Sequence, residues 1–209
     1  HKVRIYRSDV QGVCDSLVFS SKDTCLTMYQ DPILWNNQQQ LLGEKIMVYM
    51  NDSTIDWAHI QNQALSVEKL DSVNFNQVAG KDMKAYFKDG EMHQVDVLGS
   101  VRVVYYWMEK DSTLMGMNVS ETSELSIFLE NRKMKKMLMK PKTNRVFYPM
   151  DQLPADKMKL DNFAWFDYIR PLNKQDIFNW RGKKAGQELK KSTRGPVSLP
   201  NQKLFENKK

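Results

Sequence analysis

The sequence lacks the short patterns by which most nucleotide-dependent and hydrolytic enzymes are recognised. Its 209 residues contain no Gly-Lys-Ser/Thr phosphate loop, no Gly-x-Ser-x-Gly turn and no Gly-x-Gly-x-x-Gly loop. Histidine is scarce as well, since only His59 and His93 lie inside the chain, too few for the usual metal sites. Cys14 could pair with either histidine, but no local feature would activate its thiol. We therefore expect no catalytic residues, no metal and no cofactor.

Cysteine, proline, glycine and long apolar runs are also limited. A disulfide between Cys14 and Cys25 is allowed, but a hairpin turning near residues 20–22 would place Cys14 closer to Tyr29. Nine glycines and seven prolines do not make a loop-rich scaffold. No run of 18 apolar residues could span a membrane as a helix. No signal peptide is visible, but residues 1–6 already resemble a strand, so we expect a piece of a longer protein.

The residues that are abundant favour a globular domain with an adaptable interior. Hydrophobic residues make up 41% of the chain, and thirteen methionines are many for this length. Methionine fills irregular apolar space and suits surfaces that accept varied partners. The formal charge of +6 is concentrated near the end of the chain. Such a basic tail is usually solvated, and contact with nucleic acid or anionic lipid is the alternative.

Turn-forming residues recur every 8–12 residues, roughly, up to residue 135, which is typical of a many-stranded antiparallel fold. The clearest alternation of apolar and polar residues runs through 94–107, and 124–130 repeats it. Alternation with a period of two predicts strands with one buried and one wet face. Asp89-Gly90 between two such runs predicts a tight hairpin, because both positions of a type I′ turn need positive φ.

A longer repeat consists of units that begin with glycine. Units at Gly43 and Gly80 are the clearest, and weaker copies begin at Gly12 and Gly116, with spacings of 31, 37 and 36 residues. A repeat of this length built from short strands favours stacked β units over a closed globule.

The character of the sequence changes at Pro141. Between Pro154 and Pro171, an apolar residue recurs every third position from Leu160 to Ile169, and this predicts a short amphipathic helix. We accordingly divide the chain into a β-repeat domain (1–140), a helical docking segment (141–181) and a disordered basic tail (182–209).

Residues 132–140 alternate basic residues with methionine and leucine. One interpretation is a charged edge strand that discourages aggregation. The other is a basic rim beside an apolar interior, suited to a phosphorylated lipid. Single-stranded nucleic acid would require aromatic side chains between the basic ones, so lipid is favoured over nucleic acid. The candidate phosphate contacts are Arg132, Lys133, Lys135 and Lys136.

Three sequence segments resemble the repeat of the OstA/LptA family of periplasmic lipopolysaccharide-transport proteins, in particular the OstA-like proteins of Bacteroidetes-type bacteria. These segments are Gly-Val-Cys-Asp-Ser-Leu-Val-Phe (12–19), Met-Tyr-Gln-Asp-Pro-Ile-Leu-Trp (28–35) and Gln-Leu-Leu-Gly-Glu-Lys-Ile (40–46). The segments 163–171 and 176–181 resemble the C-terminal part of such proteins. The resemblance covers about residues 3–181. The long C-terminal segment departs from the minimal pattern of the family.

The resemblance implies an all-β fold, an antiparallel β-taco or open β-jelly-roll repeat, with a short α-helical C-terminal appendage. It implies a non-enzymatic periplasmic bridge for lipopolysaccharide transport, outer-membrane biogenesis and organic solvent tolerance. Its partners would be lipopolysaccharide and other bridge or outer-membrane proteins joined by edge-strand pairing, with a homo-oligomer formed in the same way. The groove for acyl chains would use the inward side chains of the clearest strands: Leu17, Phe19, Ile46, Val48, Ile55, Trp57, Phe87, Val97, Val101, Val103 and Ile127.

Two rival functions remain at this point. A structural β-repeat or adhesin-like assembly protein would have a dry interior and no ligand. A hydrolase of surface polysaccharide would need two carboxylates in one cleft, roughly 5–10 Å apart.

Overall fold

In a computed structural model, the described residues are 2–51, 54–109, 111, 113–131, 133–141 and 143–184. Within them the chain forms fifteen β-strands, all paired antiparallel in one continuous sheet. The strands are β1 Val3–Tyr6, β2 Val10–Cys14, β3 Ser16–Ser20, β4 Cys25–Tyr29, β5 Ile33–Asn36, β6 Gln39–Leu42, β7 Lys45–Asn51, β8 Thr54–Gln61, β9 Ala64–Lys69, β10 Phe75–Gly80, β11 Asp82–Lys88, β12 Glu91–Met108, β13 Leu114–Glu130, β14 Lys133–Lys140 and β15 Asn144–Pro149. The predicted all-β class is confirmed.

The sheet folds into two layers at bends, most of which separate consecutive strands, while β12 and β13 each run through one. β12 shows this best: its first half pairs with β11 and its second half with β10. The first layer contains β1, β2, β5, β6, β9, β10, the end of β12, the start of β13, and β15. The second layer contains β3, β4, β7, β8, β11, the start of β12, the end of β13, and β14. The result is the expected taco, open at both ends of the strand order.

The bends share one backbone arrangement. The amide of Glu44 donates to the carbonyls of both Gln61 and Asn62, and the amide of Lys81 donates in the same way to Leu98 and Gly99. Both bends follow a glycine at which two strands approach closely. A Cβ atom on Gly80 would lie 2.5 Å from a methyl group of Val97, and one on Gly43 would lie 2.5 Å from a methyl group of Ile60. The two clear units of the sequence repeat are therefore equivalent in the structure.

The weaker copies of the repeat do not start at bends. Gly12 lies within β2 and Gly116 within β13. The bend that follows β2 is at Asp15, whose amide donates to Tyr29 and Gln30, so Cys14 occupies the place that Gly43 and Gly80 hold elsewhere. The thiols of Cys14 and Cys25 are both free and buried.

The main core lies between the layers and is supplied by both. In β12 the buried set Val95, Val97, Val101 and Val103 has the predicted parity. The predicted hairpin is also confirmed, because Asp89 and Gly90 join β11 to β12 with φ of 53° and 80°.

The C-terminal segment crosses the outer face of the first layer as an extended strap (residues 150–181). The predicted amphipathic helix is wrong: the described residues there contain only 3-10 turns, at Met150–Gln152, Asp167–Ile169 and Asp176–Phe178. The period of three reflects turns closed by bonds from Phe163 to Leu160 and from Ile169 to Phe166. A 3-10 turn repeats every three residues, so such spacing buries one side without an α-helix. The Phe166 and Ile169 side chains are each 1% exposed.

Buried glutamines of the first layer hold the strap. Gln40 donates to the Ala164 carbonyl (2.9 Å) and accepts from the Phe166 amide (2.8 Å). In the same way, Gln77 donates to the Met158 carbonyl and accepts from the Leu160 amide.

Gln11 accepts from the Arg170 guanidinium (2.8 Å), so a third glutamine also binds the strap. Gln11, Gln40 and Gln77 each lie three residues before a bend position, Cys14, Gly43 or Gly80. The repeat therefore specifies the docking of the strap as well as the bends.

The strap ends beside β1. The Arg4 guanidinium lies 3.8 Å from the Asp176 carboxylate, which also accepts a hydrogen bond from Arg181. The ammonium of Lys2 lies over the Trp180 ring. Of the predicted disordered tail, residues 185–209 lie outside the described residues. Among the described residues, no helix is both long and apolar enough to cross a membrane.

Candidate functional site

Nine of the eleven predicted groove residues lie together in the core between the layers. Seven of them are buried within it, and Leu17 and Ile127 pack against it half-buried. The seven are Ile46, Val48, Ile55, Phe87, Val97, Val101 and Val103.

Trp57 and Phe19 lie outside this cluster, but only Trp57 faces away from it, contrary to the prediction. Phe19 keeps the inward face, because it pairs with Leu26 and Leu26 pairs with the core residue Val48. A register shift between β7 and β8 leaves Asp56 without a partner, so Trp57 has the opposite parity to Ile55. The Trp57 ring stacks on Tyr49 at 3.9 Å, on the outer face of the second layer. Phe19 is 53% exposed, because its strand β3 has a neighbour on one side only.

Most of the space between the layers is filled. Ile46, Ile60 and Val97 are completely buried, and their side chains close the interior at the middle of the sheet. An open cavity of about 370 Å³ lies instead at the end formed by β13, β14 and β15. Its lining residues are Val103, Tyr105, Trp107, Met108, Asn118, Ser120, Met134, Lys135, Lys136, Met137, Met139 and Arg145.

Strand register explains how the cavity is walled. On the first layer, Val103 pairs with Ser120 and Ser120 with Arg145, so all three share the inner face. On the second layer, Met137 and Met139 pair with core residues of β13 and face inward with them. The cavity thus has one wall with polar groups and one wall of flexible thioethers.

Two polar groups of the first-layer wall are poorly satisfied. The hydroxyl of Ser120 is buried and has no hydrogen-bond partner within the described residues. The Arg145 guanidinium reaches across to the sulfur of Met139, 3.9 Å away. A thioether is a weak acceptor, so Arg145 keeps most of its donor capacity.

Two of the four predicted phosphate contacts, Lys135 and Lys136, line this cavity. Lys135 also forms an exposed ion pair with Glu130 at 2.6 Å. Arg132 and the side chain of Lys133 lie outside the described residues.

Arg145, Ser120 and Asn118 were not predicted as site residues. Their positions follow from pairing between β13 and β15, and β15 lies beyond residue 140, where the sequence predicts the end of the β-repeat. The alternation predicted for 94–107 already places Tyr105 and Trp107 on the inward side, although the predicted groove residues of that strand end at Val103.

The chemistry of the described residues offers no metal site, since they contain no group of three or more His, Cys, Asp or Glu that could hold an ion. Burial raises the pKa of the Cys14 thiol to about 11, so the thiol is protonated at neutral pH. Burial likewise lowers the pKa of His59, and nearby Asp82 opposes that shift. Neither Cys14 nor His59 is among the residues that line the cavity.

Comparison with known proteins identifies the fold. No family model matches the chain, and no curated protein matches it in sequence. Among solved structures, the chain is similar to LptH of Pseudomonas aeruginosa, described as the LptA-homologous periplasmic component of the lipopolysaccharide transport device. The match has a TM-score of 0.51 and 12% sequence identity, and it covers 68% of this chain and 100% of LptH. The chain therefore has an LptA-like fold.

Proposed function

We propose that this chain, which has the LptA-like fold, is a non-enzymatic bridge module for lipopolysaccharide transport in the periplasm. It serves outer-membrane biogenesis by holding acyl chains between its two layers. The observation that carries this proposal is the cavity between the layers, whose methionine wall faces a wall with basic and polar groups.

The apolar wall is sufficient to hold a lipid chain without specific contacts. Removing about ten methylenes from water contributes on the order of 8 kcal/mol. Met134, Met137 and Met139 adapt to the shape of a chain because their side chains are unbranched and flexible. Lys135 and Lys136 at the same cavity supply positive charge for a phosphorylated head group.

The remaining predicted groove residues supply further apolar surface beyond the cavity. Val97, Val101 and Ile127 continue the cavity inward, and a chain that enters further would have to separate the layers there. The proposed transport path therefore includes the packed core as well as the open cavity.

At both ends of the sheet, the described residues include strands that pair on one side only. β1 and β3 each pair with one strand at one end, and β14 and β15 each pair with β13 at the other. Unpaired strand edges are templates for strand addition. The partners we propose are other bridge or outer-membrane proteins, and further copies of this chain.

Photo-crosslinking tests lipid binding directly. The full chain would carry benzoyl-phenylalanine in place of Tyr105, which lines the cavity. The control carries it in place of Tyr86, which pairs with Trp57 on the outer face of the second layer. With purified lipopolysaccharide, illumination should label the Tyr105 variant and leave the Tyr86 variant unlabelled. Equal labelling of both, or none, would overturn the proposal.

A ligand-free structural repeat is the second candidate. The complete burial of Met28, Ile46 and Ile60 favours it, because a dry interior needs no ligand to be stable. Under this alternative, the crosslinking experiment labels neither variant, while self-association through the strand edges persists.

A further inference from the structure

The cavity has room for about one lipid chain. A methylene group takes up close to the roughly 30 Å³ of a water molecule in the liquid. The cavity of about 370 Å³ therefore holds about a dozen groups of this size, the head group included. A second chain of that length would have to displace core side chains such as Val101, which is 1% exposed.

The charge of the cavity favours an anion. Lys135, Lys136 and Arg145 are among its twelve lining residues, and none of the twelve is acidic. Lys135 is ion-paired with Glu130, so Arg145 and Lys136 supply the positive charge left for a ligand. An anionic head group would replace the weak contact of Arg145 with Met139 by a charge-assisted hydrogen bond.

The polar groups are arranged as hydrogen-bond donors on neighbouring strands. Ser120 is paired with Arg145, and Asn118 lies two residues from Ser120 on the same face of β13. The buried Ser120 hydroxyl has no partner in the described chain, although a buried polar group is normally satisfied. A guanidinium, a hydroxyl and an amide side by side match the oxygens of one small oxyanion.

We infer that this cavity binds an amphiphile with a single chain of about a dozen carbons and a terminal oxyanion, held by Arg145, Ser120 and Asn118. The inference deepens the proposed function, since it concerns the same cavity, and it specifies one chain and one charged oxygen group. A fatty carboxylate and an alkyl phosphate share this chemistry.

Calorimetry with the full chain distinguishes the contribution of the head group to the binding affinity from that of the tail. The probes are dodecanoate, dodecyl phosphate and the neutral alcohol dodecanol, each below its aggregation concentration. We expect one equivalent of dodecanoate or dodecyl phosphate per chain, bound at least tenfold more tightly than dodecanol. The tighter of the two anions identifies the head group. Equal binding of all three probes, or two or more equivalents of an anion per chain, overturns the inference.

Two variants locate the oxyanion. Arg145→Gln should weaken binding of the anions by tenfold or more and change dodecanol binding less than twofold. Ser120→Ala should weaken the anions by about threefold to tenfold, in line with the loss of one hydrogen bond. Lys88→Gln, at the exposed hairpin between β11 and β12, is the matched control and should leave the affinity for both anions unchanged. If Lys88→Gln weakens the anions as much as Arg145→Gln, the site is not this cavity.

The outcome is separable from that of the proposed function. A chain that is crosslinked to lipopolysaccharide at Tyr105 but does not bind dodecanoate or dodecyl phosphate contradicts the single-chain inference alone. A chain that binds these anions but is not crosslinked to lipopolysaccharide contradicts the transport function alone.

Discussion

Gly43 and Gly80 show what the bends require of single residues. At each, the strands approach so closely that a methyl group would overlap a branched side chain of the neighbouring strand. The constraint is steric, because neither glycine has positive φ. It explains why glycine recurs at these two bends of the repeat. At the third bend, after β2, the equivalent residue is Cys14.

Gly80→Ala should therefore destabilise the fold. The new Cβ atom would lie 2.5 Å from a Val97 methyl group, which a short branched side chain cannot easily withdraw. Overpacking of this kind costs about 1–3 kcal/mol. Urea unfolding measures the loss, and Gly182→Ala is the control, because its nearest neighbour would be 3.8 Å away. Equal stability of Gly80→Ala and wild type would contradict the close approach.

Ser120→Ala should raise the stability of the ligand-free protein. Its buried hydroxyl has no partner among the described residues, and an unsatisfied buried polar group costs about 1–3 kcal/mol. Ser66→Ala is the matched control with the opposite expected sign, because the Ser66 hydroxyl accepts a hydrogen bond from Gln39 at 2.8 Å. Thermal unfolding of both variants provides the comparison. A loss of stability in Ser120→Ala would mean that its hydroxyl is satisfied.

Among the elements, the strap depends on side chains that are distant in sequence. Gln77 bonds to Met158 and Leu160, and the side chain of Arg102 bonds to Asp161 at 3.0 Å. These contacts bury Tyr106 and Val104, which lie on the face of β12 that the alternation alone would leave wet.

Gln77→Met should loosen the strap selectively. Methionine keeps the size of the side chain but leaves the Leu160 amide and the Met158 carbonyl without their partner. We expect a loss of about 2 kcal/mol and faster hydrogen exchange in residues 158–166. Exchange in β7 and β8, which lie in the other layer, should be unchanged. Gln63→Met, which removes an exposed contact with Glu44, is the control.

The elements also show where sequence analysis succeeds. Alternation predicts the inner faces of β12 and β13, because one face of a strand is buried and the pattern is local. It fails at Trp57, because one unpaired residue at Asp56 reverses the parity. It cannot find the cavity residues Ser120 and Arg145, because their proximity depends on pairing of β13 with β15. The helix predicted in the strap is wrong because a spacing of three residues is shared by 3-10 turns and short helices.

At the scale of the whole molecule, the two ends of the sheet are the surfaces that the proposed assembly would use. Exposed apolar side chains lie on the edge strands at both ends: Phe19 and Val18 on β3, and Val146 and Phe147 on β15. Edges in soluble proteins are usually protected by charge, and β14 with its lysines is so protected.

Charge placed on either apolar edge should reduce self-association. We expect Phe19→Lys and Val146→Lys each to weaken it by tenfold or more, because a charged side chain is costly to bury at a strand junction. Sedimentation velocity over a range of concentrations measures the effect. Val73→Lys is the control, since Val73 is 57% exposed on a turn and not on an edge. Association that survives both edge substitutions would exclude edge pairing.

The end of the strap lies beside β1, where Lys2 meets Trp180 and Arg4 lies near Asp176. Tension applied at these two points would act on one rim of the molecule. The hydrogen bonds between paired strands would then break one after another, starting at β1, because they would not bear the force at the same time. We expect this all-β protein to yield to low forces in a single-molecule pulling experiment, and to resist far better when it is held by its two opposite rims.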